Sequence, residues 1–229
     1  MEGGDRSTMG ESGEALAELR GQFAELLRGS DRRGARRMLR RAVAAGVDRQ
    51  LLMREVVSPA VEEVGGAWSE HEVSLSQVYA AGLIVEDGVE ILSIPTGPAE
   101  GPPRRVVIGT ARGDYHGLGR RLVTAFLRAA GFVVVDLGLN VSPGTFVDAT
   151  LEEGARIIAV SALMVDAALG IREVREEMVR REVRGVKLLV GGAPFRFNSD
   201  LCRLVGADAT APDAFRAIQV AESLLDGGG

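Results

Sequence analysis

The residues best suited to chemistry lie in the run ARGDYHGLG, residues 111–119. Asp114 stands two positions before His116, one of only two histidines in the chain. At that spacing a carboxylate can hold one ring nitrogen and fix the tautomer. The other nitrogen then faces outward as a more basic metal ligand. Gly117 and Gly119 flank Leu118, so a bulky planar ligand can approach the backbone closely. The same residues would equally make a capped turn in a glycine-rich loop, and the loop alone leaves both readings open. Other chemistries lack their residues. One histidine and the distant Cys202 do not make a four-ligand zinc set. No lysine follows the glycines as a P-loop needs, the dinucleotide glycine pattern is not matched, and no Ser-His-Asp set is legible. A metal on His116 would take its remaining ligands from something other than protein, as a macrocycle supplies them.

Two kinds of element must position this loop. Downstream of Arg105, short β-branched runs alternate with amphipathic helices. Strands are predicted over 105–110, 132–138, 156–163, 186–192 and 207–210, and helices over 117–130, 143–153, 167–182, 198–205 and 212–226. Runs that are apolar on both faces imply strands buried between two helical layers, hence a doubly wound parallel five-stranded α/β sheet. Ligands of such sheets bind beyond the carboxyl ends of the strands, and that is where Asp114 and His116 fall. Upstream, apolar residues recur at three- and four-residue spacings, predicting a four-helix bundle over 11–93. Gly46 should stop the second helix, Pro59 should kink the third, and Gly65-Gly66 should end or loosen it. Ser74-Leu-Ser-Gln77 has the spacing of a capping box for the fourth. The run SIPTGPAEGPPRR marks a Pro/Gly linker over 94–104 between the halves. An acidic, unstructured tail is expected over 1–10, and the sheet domain over 105–226.

Composition narrows the setting. The 229 residues carry 27 basic and 32 acidic side chains, a net charge of −5. That balance argues against nucleic acid as a direct partner. A single cysteine excludes an internal disulfide, and no apolar run is long enough to span a bilayer, so a cytoplasmic protein is expected. One local exception to the acidity is a row of arginines at 32, 33, 36, 37, 40 and 41. It reads as a solvated helix face, or as a docking face for an acidic partner or a phosphate.

The loop and the strand ends together resemble the cobalamin-binding family. Its hallmark is Asp-x-His-x-x-Gly, then Ser-x-Leu, then Gly-Gly, on a flavodoxin-like sheet. Here these stand as Asp114-Tyr-His116-Gly-Leu-Gly119, Ser161-Ala-Leu163 and Gly191-Gly192. The resemblance covers about residues 104–226. It implies cobalamin bound base-off, with His116 as lower ligand of the cobalt and Asp114 as its hydrogen-bond partner. Ser161 and Leu163 would line the pocket for the nucleotide tail, and Gly191 and Gly192 would let the tail pass. The helical half resembles the domain that precedes this sheet in corrinoid methyl-carrier proteins. That resemblance implies a carrier for methyl groups between partner methyltransferase subunits, with Trp68 over or near the upper face of the corrin and self-association as a further possibility.

Departures from the carrier pattern point to a second branch. Gly117 stands where carriers usually have Asp, and Val165 and Ala167 where they usually have hydroxyl residues. A relay from His116 through Asp114 to a hydroxyl would lack its third member. The alternative is a cobalamin-dependent sensor, light-responsive and adenosylcobalamin-binding, without methyl transfer. That branch typically places Glu-His ten and eleven residues after its tryptophan, where this chain has Val78 and Tyr79.

Overall fold

A computed structural model describes residues 5–92, 103–198 and 200–226 and divides the chain into two compact units, Met1–Gly97 and Pro98–Gly229. The predicted linker at 94–104 falls almost wholly outside the described residues.

The first unit is helical. Helix α1 (Asp5–Arg28) begins inside the stretch whose composition reads as a tail, and it buries Phe23, Ala24 and Leu27. Helix α2 (Arg32–Ala44) is capped by the Asp31 carboxylate, which accepts from the Gly34 N–H at 2.8 Å. Helix α3 (Arg49–Leu52) runs through a π-helical turn, Met53–Val57, into α4 (Ser58–Ser69). Pro59 explains the wide turn. Its ring would crowd the carbonyl four residues back and it brings no N–H, so the chain widens just before it. Ser58 closes that turn by donating both its N–H and its hydroxyl to the Met53 carbonyl. Gly65 and Gly66 do not end the helix, which continues to Ser69. A helical glycine costs only about 1 kcal/mol relative to alanine, and burial of Val61 and Val64 offsets that loss. Helix α5 (Leu75–Leu92) opens with the predicted capping box: Gln77 N–H donates to Ser74 Oγ, and Ser74 N–H donates to Gln77 Oε1.

One buried charge ties α2 to α5. Asp87 is 4% exposed and receives Arg32 Nε at 2.6 Å and Arg36 Nη1 at 2.9 Å. The Arg32 guanidinium, against the opposing pull of burial, holds this carboxyl below the usual range, with help from Arg36.

The second unit is a parallel sheet in the order β2-β1-β3-β4-β5. Its strands are β1 (Arg105–Thr110), β2 (Val133–Asp136), β3 (Ile157–Ser161), β4 (Lys187–Gly191) and β5 (Ala209–Ala211). One layer holds α6 (Leu118–Ala129) and α12 (Ala214–Asp226). They pack on Val106, Ile108, Ile157, Ala159 and Leu189, with Phe126 stacked on Phe215 at 4.6 Å. The other layer includes α7 (Pro143–Glu153), α8 (Val165–Gly170) and α9 (Arg172–Arg180). It covers Val107, Ile158, Val160, Leu188 and Val190. The alternation of these residues between two buried faces is why the strands read as continuous apolar runs. The helix predicted over 167–182 is broken at Ile171, whose N–H turns back to the Ala168 and Leu169 carbonyls. Sequence periodicity also misses α10 (Ala193–Phe197), a five-residue helix opened by Pro194, which precedes the short α11 (Leu201–Leu204).

Replacing Asp87 with Ala should destabilise the helical unit by about 1–3 kcal/mol at neutral pH. The estimate lies between a solvated and a buried ion pair, because both arginines remain partly exposed. Since the folded carboxyl is depressed, this contribution is complete above the unfolded aspartate value of about 3.9. It is lost as pH falls through the lower folded value. Chemical denaturation of both proteins at pH 7 and at pH 3 should show the gap narrowing with acid.

Candidate functional site

The sheet order places β2 and β3 on opposite sides of β1, so the chain leaves β1 in one direction and returns in the other. The crevice at this reversal, beyond the carboxyl ends of the strands, is where such folds hold ligands. One row of register crosses the sheet there: Thr110 pairs with Ser161, Ser161 with Gly191, and Gly191 with Ala211. Three sequence-predicted features thus meet at one edge: the loop after β1, the end of Ser-x-Leu's strand, and the first glycine of the pair.

Asp114 is fully buried and works as a four-way acceptor. Its Oδ1 accepts from the His116 backbone N–H and faces His116 Nδ1, both at 2.9 Å. Its Oδ2 accepts from the N–H groups of Leu163 at 2.6 Å and Met164 at 3.1 Å. Burial pushes this carboxyl up, but the amides of His116, Leu163 and Met164, with the His116 ring, outweigh it and hold the group below its ordinary value. An ionised Asp114 requires the proton on Nδ1, which leaves the Nε2 lone pair free. The His116 side chain is 52% exposed. The loop therefore holds the ring by Nδ1, and the ring cannot turn without breaking its bond to a buried carboxylate.

Sequence reasoning missed Asn140 and Thr110, which brace this loop. Asn140 sits at φ 54°, left-handed backbone that asparagine tolerates better than most residues. Its N–H donates to Thr110 Oγ1 at 2.8 Å and to the Asp114 carbonyl at 3.1 Å. Its side chain accepts from the Gly113 N–H at 2.8 Å and donates to the Tyr115 hydroxyl at 2.9 Å. The Thr110 hydroxyl, fully buried, donates to the Asp114 carbonyl at 2.6 Å. The available signal was a polar residue following the Asp-Leu-Gly-Leu end of β2. Arg120, nine-tenths buried on the first turn of α6, pairs with Asp136 at the end of β2.

Around the imidazole the surface is apolar. Tyr115, Leu118, Leu139, Leu163, Met164 and Val165 are between 42% and 66% exposed. Such a cluster of exposed apolar side chains on one edge marks a ligand surface. Gly119 lies over Ser161, where an added Cβ would stand 3.5 Å from Oγ. At Gly117 a Cβ would come within 3.0 Å of Leu139, so the aspartate usual in carriers would push that side chain aside. Gly191 has the Ala211 carbonyl 3.3 Å from its Cβ position. Gly192 is at φ 112°, and a Cβ there would stand 1.9 Å from the Ala162 carbonyl oxygen. The second glycine is thus demanded by the protein's own backbone, not only by space for a ligand. The buried Thr210 Oγ1 on β5 has no hydrogen-bond partner among the described residues. Trp68 is the one sequence-predicted site residue in the other unit, half-buried near the end of α4. His71, three residues on, is exposed in a left-handed turn.

Among the described residues no three of His, Cys, Asp and Glu converge as a metal-binding set, so this site offers a metal a single imidazole. A doubly wound domain with one anchored imidazole on an apolar crevice suits a metal already held in a macrocycle. A profile described as B12 binding domain matches residues 104–219, and a second of the same description matches residues 19–93. Trimethylamine corrinoid protein 2 of Methanosarcina mazei is 31% identical over 216 residues, covering 93% of this chain and 96% of that one. Monomethylamine corrinoid protein 1 of Methanosarcina barkeri is 32% identical, covering 84% and 90%. Among solved structures, the methanol:cobalamin methyltransferase complex of Methanosarcina barkeri contains a chain of the same fold, with a TM-score of 0.74 and 24% identity over 94% of this chain and 83% of that one. The chain belongs to the family of B12-binding corrinoid proteins.

Two glycines separate strain from steric conflict. Gly192→Ala should cost about 4 kcal/mol or more, because left-handed strain and a backbone clash act together. Gly113→Ala, at φ 81° with nothing within 4 Å of its Cβ, should cost about 1–2 kcal/mol. Thermal denaturation of the two variants measures the difference. For the brace, Asn140→Ala should speed hydrogen exchange at the Gly113 amide, which loses its acceptor, while leaving the Ile108 amide in β1 protected.

Proposed function

We propose that this chain carries a methyl group on a bound corrinoid between partner methyltransferases. The cofactor would be bound base-off, with His116 Nε2 as the lower ligand of its cobalt. The observation that carries the reading is the geometry of His116, whose Nδ1 is committed to a buried carboxylate, so that Nε2 is the ring nitrogen left for a metal. Its relatives named as trimethylamine and monomethylamine corrinoid proteins support the carrier role.

When bound, the corrinoid supplies the cobalt that accepts the methyl group and passes it on. This chain's residues do the rest. Asp114 would hold His116 by its Nδ1, fixing the orientation of the ring and leaving Nε2 as the nitrogen offered to the cofactor. The Leu163 and Met164 amides keep Asp114 ionised, which a family member with hydroxyl side chains after Ser-x-Leu would share with those hydroxyls. Here backbone donors already satisfy the carboxylate without the residues that Val165 and Ala167 replace. Leu139, Leu163, Met164 and Val165 would give a bound corrinoid an apolar border to pack against. Ser161, Leu163, Gly119, Gly191 and Gly192, with the Thr210 hydroxyl, which has no hydrogen-bond partner among the described residues, would receive the nucleotide tail.

The test is to bind methyl- and adenosylcobalamin in the dark and record absorption spectra, then to load the protein with cob(II)alamin, the paramagnetic Co(II) form, and record its electron paramagnetic resonance spectrum with and without ¹⁵N-histidine. Histidine coordination gives nitrogen splitting that changes with the isotope. His116→Ala should retain corrinoid at least about tenfold more weakly and without that splitting, and Asp114→Asn should weaken binding about 10–100-fold. An unchanged spectrum in the His116 variant would overturn the ligand assignment. Binding of adenosylcobalamin alone, with a light-driven change of assembly, would replace the carrier by the sensor.

A further inference from the structure

Helix α2 carries six arginines and no acidic residue. Arg32 and Arg36 turn inward to Asp87. Arg33, Arg37, Arg40 and Arg41, at i, i+4, i+7 and i+8, share the outer face and are all exposed. Elsewhere arginines commonly meet carboxylates, as in Arg28–Glu63, Arg104–Glu222 and Arg175–Asp208. These four meet none among the described residues. Like charges at this spacing repel and weaken a helix, so the row works against the stability of the free protein.

Beside the row, within the helical unit, a pocket of about 380 Å³ is lined by Arg36, Arg40, Arg49 and Glu90 together with the apolar Val43 and Ile91. Arg49 is fixed there by donating Nη1 to the Ile91 and Leu92 carbonyls at 3.1 and 3.2 Å. Together α2 and Arg49 carry seven arginines, against three acidic residues on α5, Glu86, Asp87 and Glu90. This face is therefore strongly positive on a chain whose net charge is −5.

We infer that the outer face of α2 and its adjoining pocket dock an acidic helix of a partner protein. Carboxylates spaced four and three residues apart would meet Arg33, Arg37, Arg40 and Arg41, a row about 12 Å long at 1.5 Å per residue. An apolar side chain of the partner would enter beside Val43 and Ile91. Arginine forks suit carboxylates. Nucleic acid fits less well, because the row is short, α2 carries no aromatic residue for base stacking, and the chain as a whole repels polyanions. The site does not depend on what the sheet unit binds.

The experiment uses the full chain and a fluorescein-labelled, helix-forming 14-residue peptide with Glu at i, i+4 and i+7 beside one leucine. Fluorescence anisotropy should show binding that weakens with salt and falls at least about tenfold for R37E/R40E/R41E. The neutral variant R33Q/R37Q should lie between them, and circular dichroism should show both variants folded. A peptide with leucine replaced by serine should bind several-fold more weakly. No binding of the peptide, equal binding to the reversed-charge variant, or equal binding of the serine peptide would overturn the proposal. So would tighter binding of inorganic polyphosphate or phosphatidylglycerol vesicles than of the peptide.

Discussion

The Asp114 carboxylate is the interaction on which the sheet unit's working edge depends. It draws the loop after β1 and the loop after β3 to the same two oxygens. Those loops leave the neighbouring strands β1 and β3, whose pairing runs up to Thr110 and Ser161, and Asp114 carries the connection on beyond the strand ends. A buried carboxylate without donors would be too costly to keep charged. With three amides and an imidazole it becomes the cheapest place for a negative charge in that crevice. The imidazole is then oriented as a by-product of satisfying the acid.

The helical unit is organised by a comparable but weaker device. Asp87 reaches α2 through two arginines that keep part of their hydration, so it orients the helix pair more than it holds them together. The apolar seam of Phe23, Leu27, Leu39, Leu52, Val56 and Ile84 supplies the cohesion. Pro59 leaves its mark as a widened turn and not as a break, because the residues on both sides of it bury apolar surface that a break would expose.

Much of this was legible in the residues. The five strands and their alternation with helices follow from β-branched runs bounded by glycine, and the observed β1 and α7 coincide with the stretches predicted for them. The capping box at Ser74 was readable because its chemistry is local. What escaped was either non-local or too short for periodicity. Asn140 acts on a loop some 27 residues away, through a backbone angle that no pattern announces. Helix α10 has only five residues, and the break at Ile171 depends on a turn within an otherwise uniform amphipathic stretch. Gly65-Gly66 misled because their cost is small beside the burial of their neighbours. Of the residues predicted for the site, Asp114, His116, Gly117, Gly119, Ser161, Leu163, Gly191 and Gly192 share one edge of the sheet unit, and Trp68 lies in the helical unit.

The donors from the β3 loop to Asp114 are main-chain amides, and this has a consequence for how such a chain can diverge. Any residue except proline brings an N–H, so positions 163 and 164 can drift through most of the amino-acid alphabet without unseating the imidazole. Selection on that loop is then free to act on what its side chains touch outside the protein. The same anchored histidine can be inherited by lineages whose crevice borders, and therefore whose partners, have become quite different.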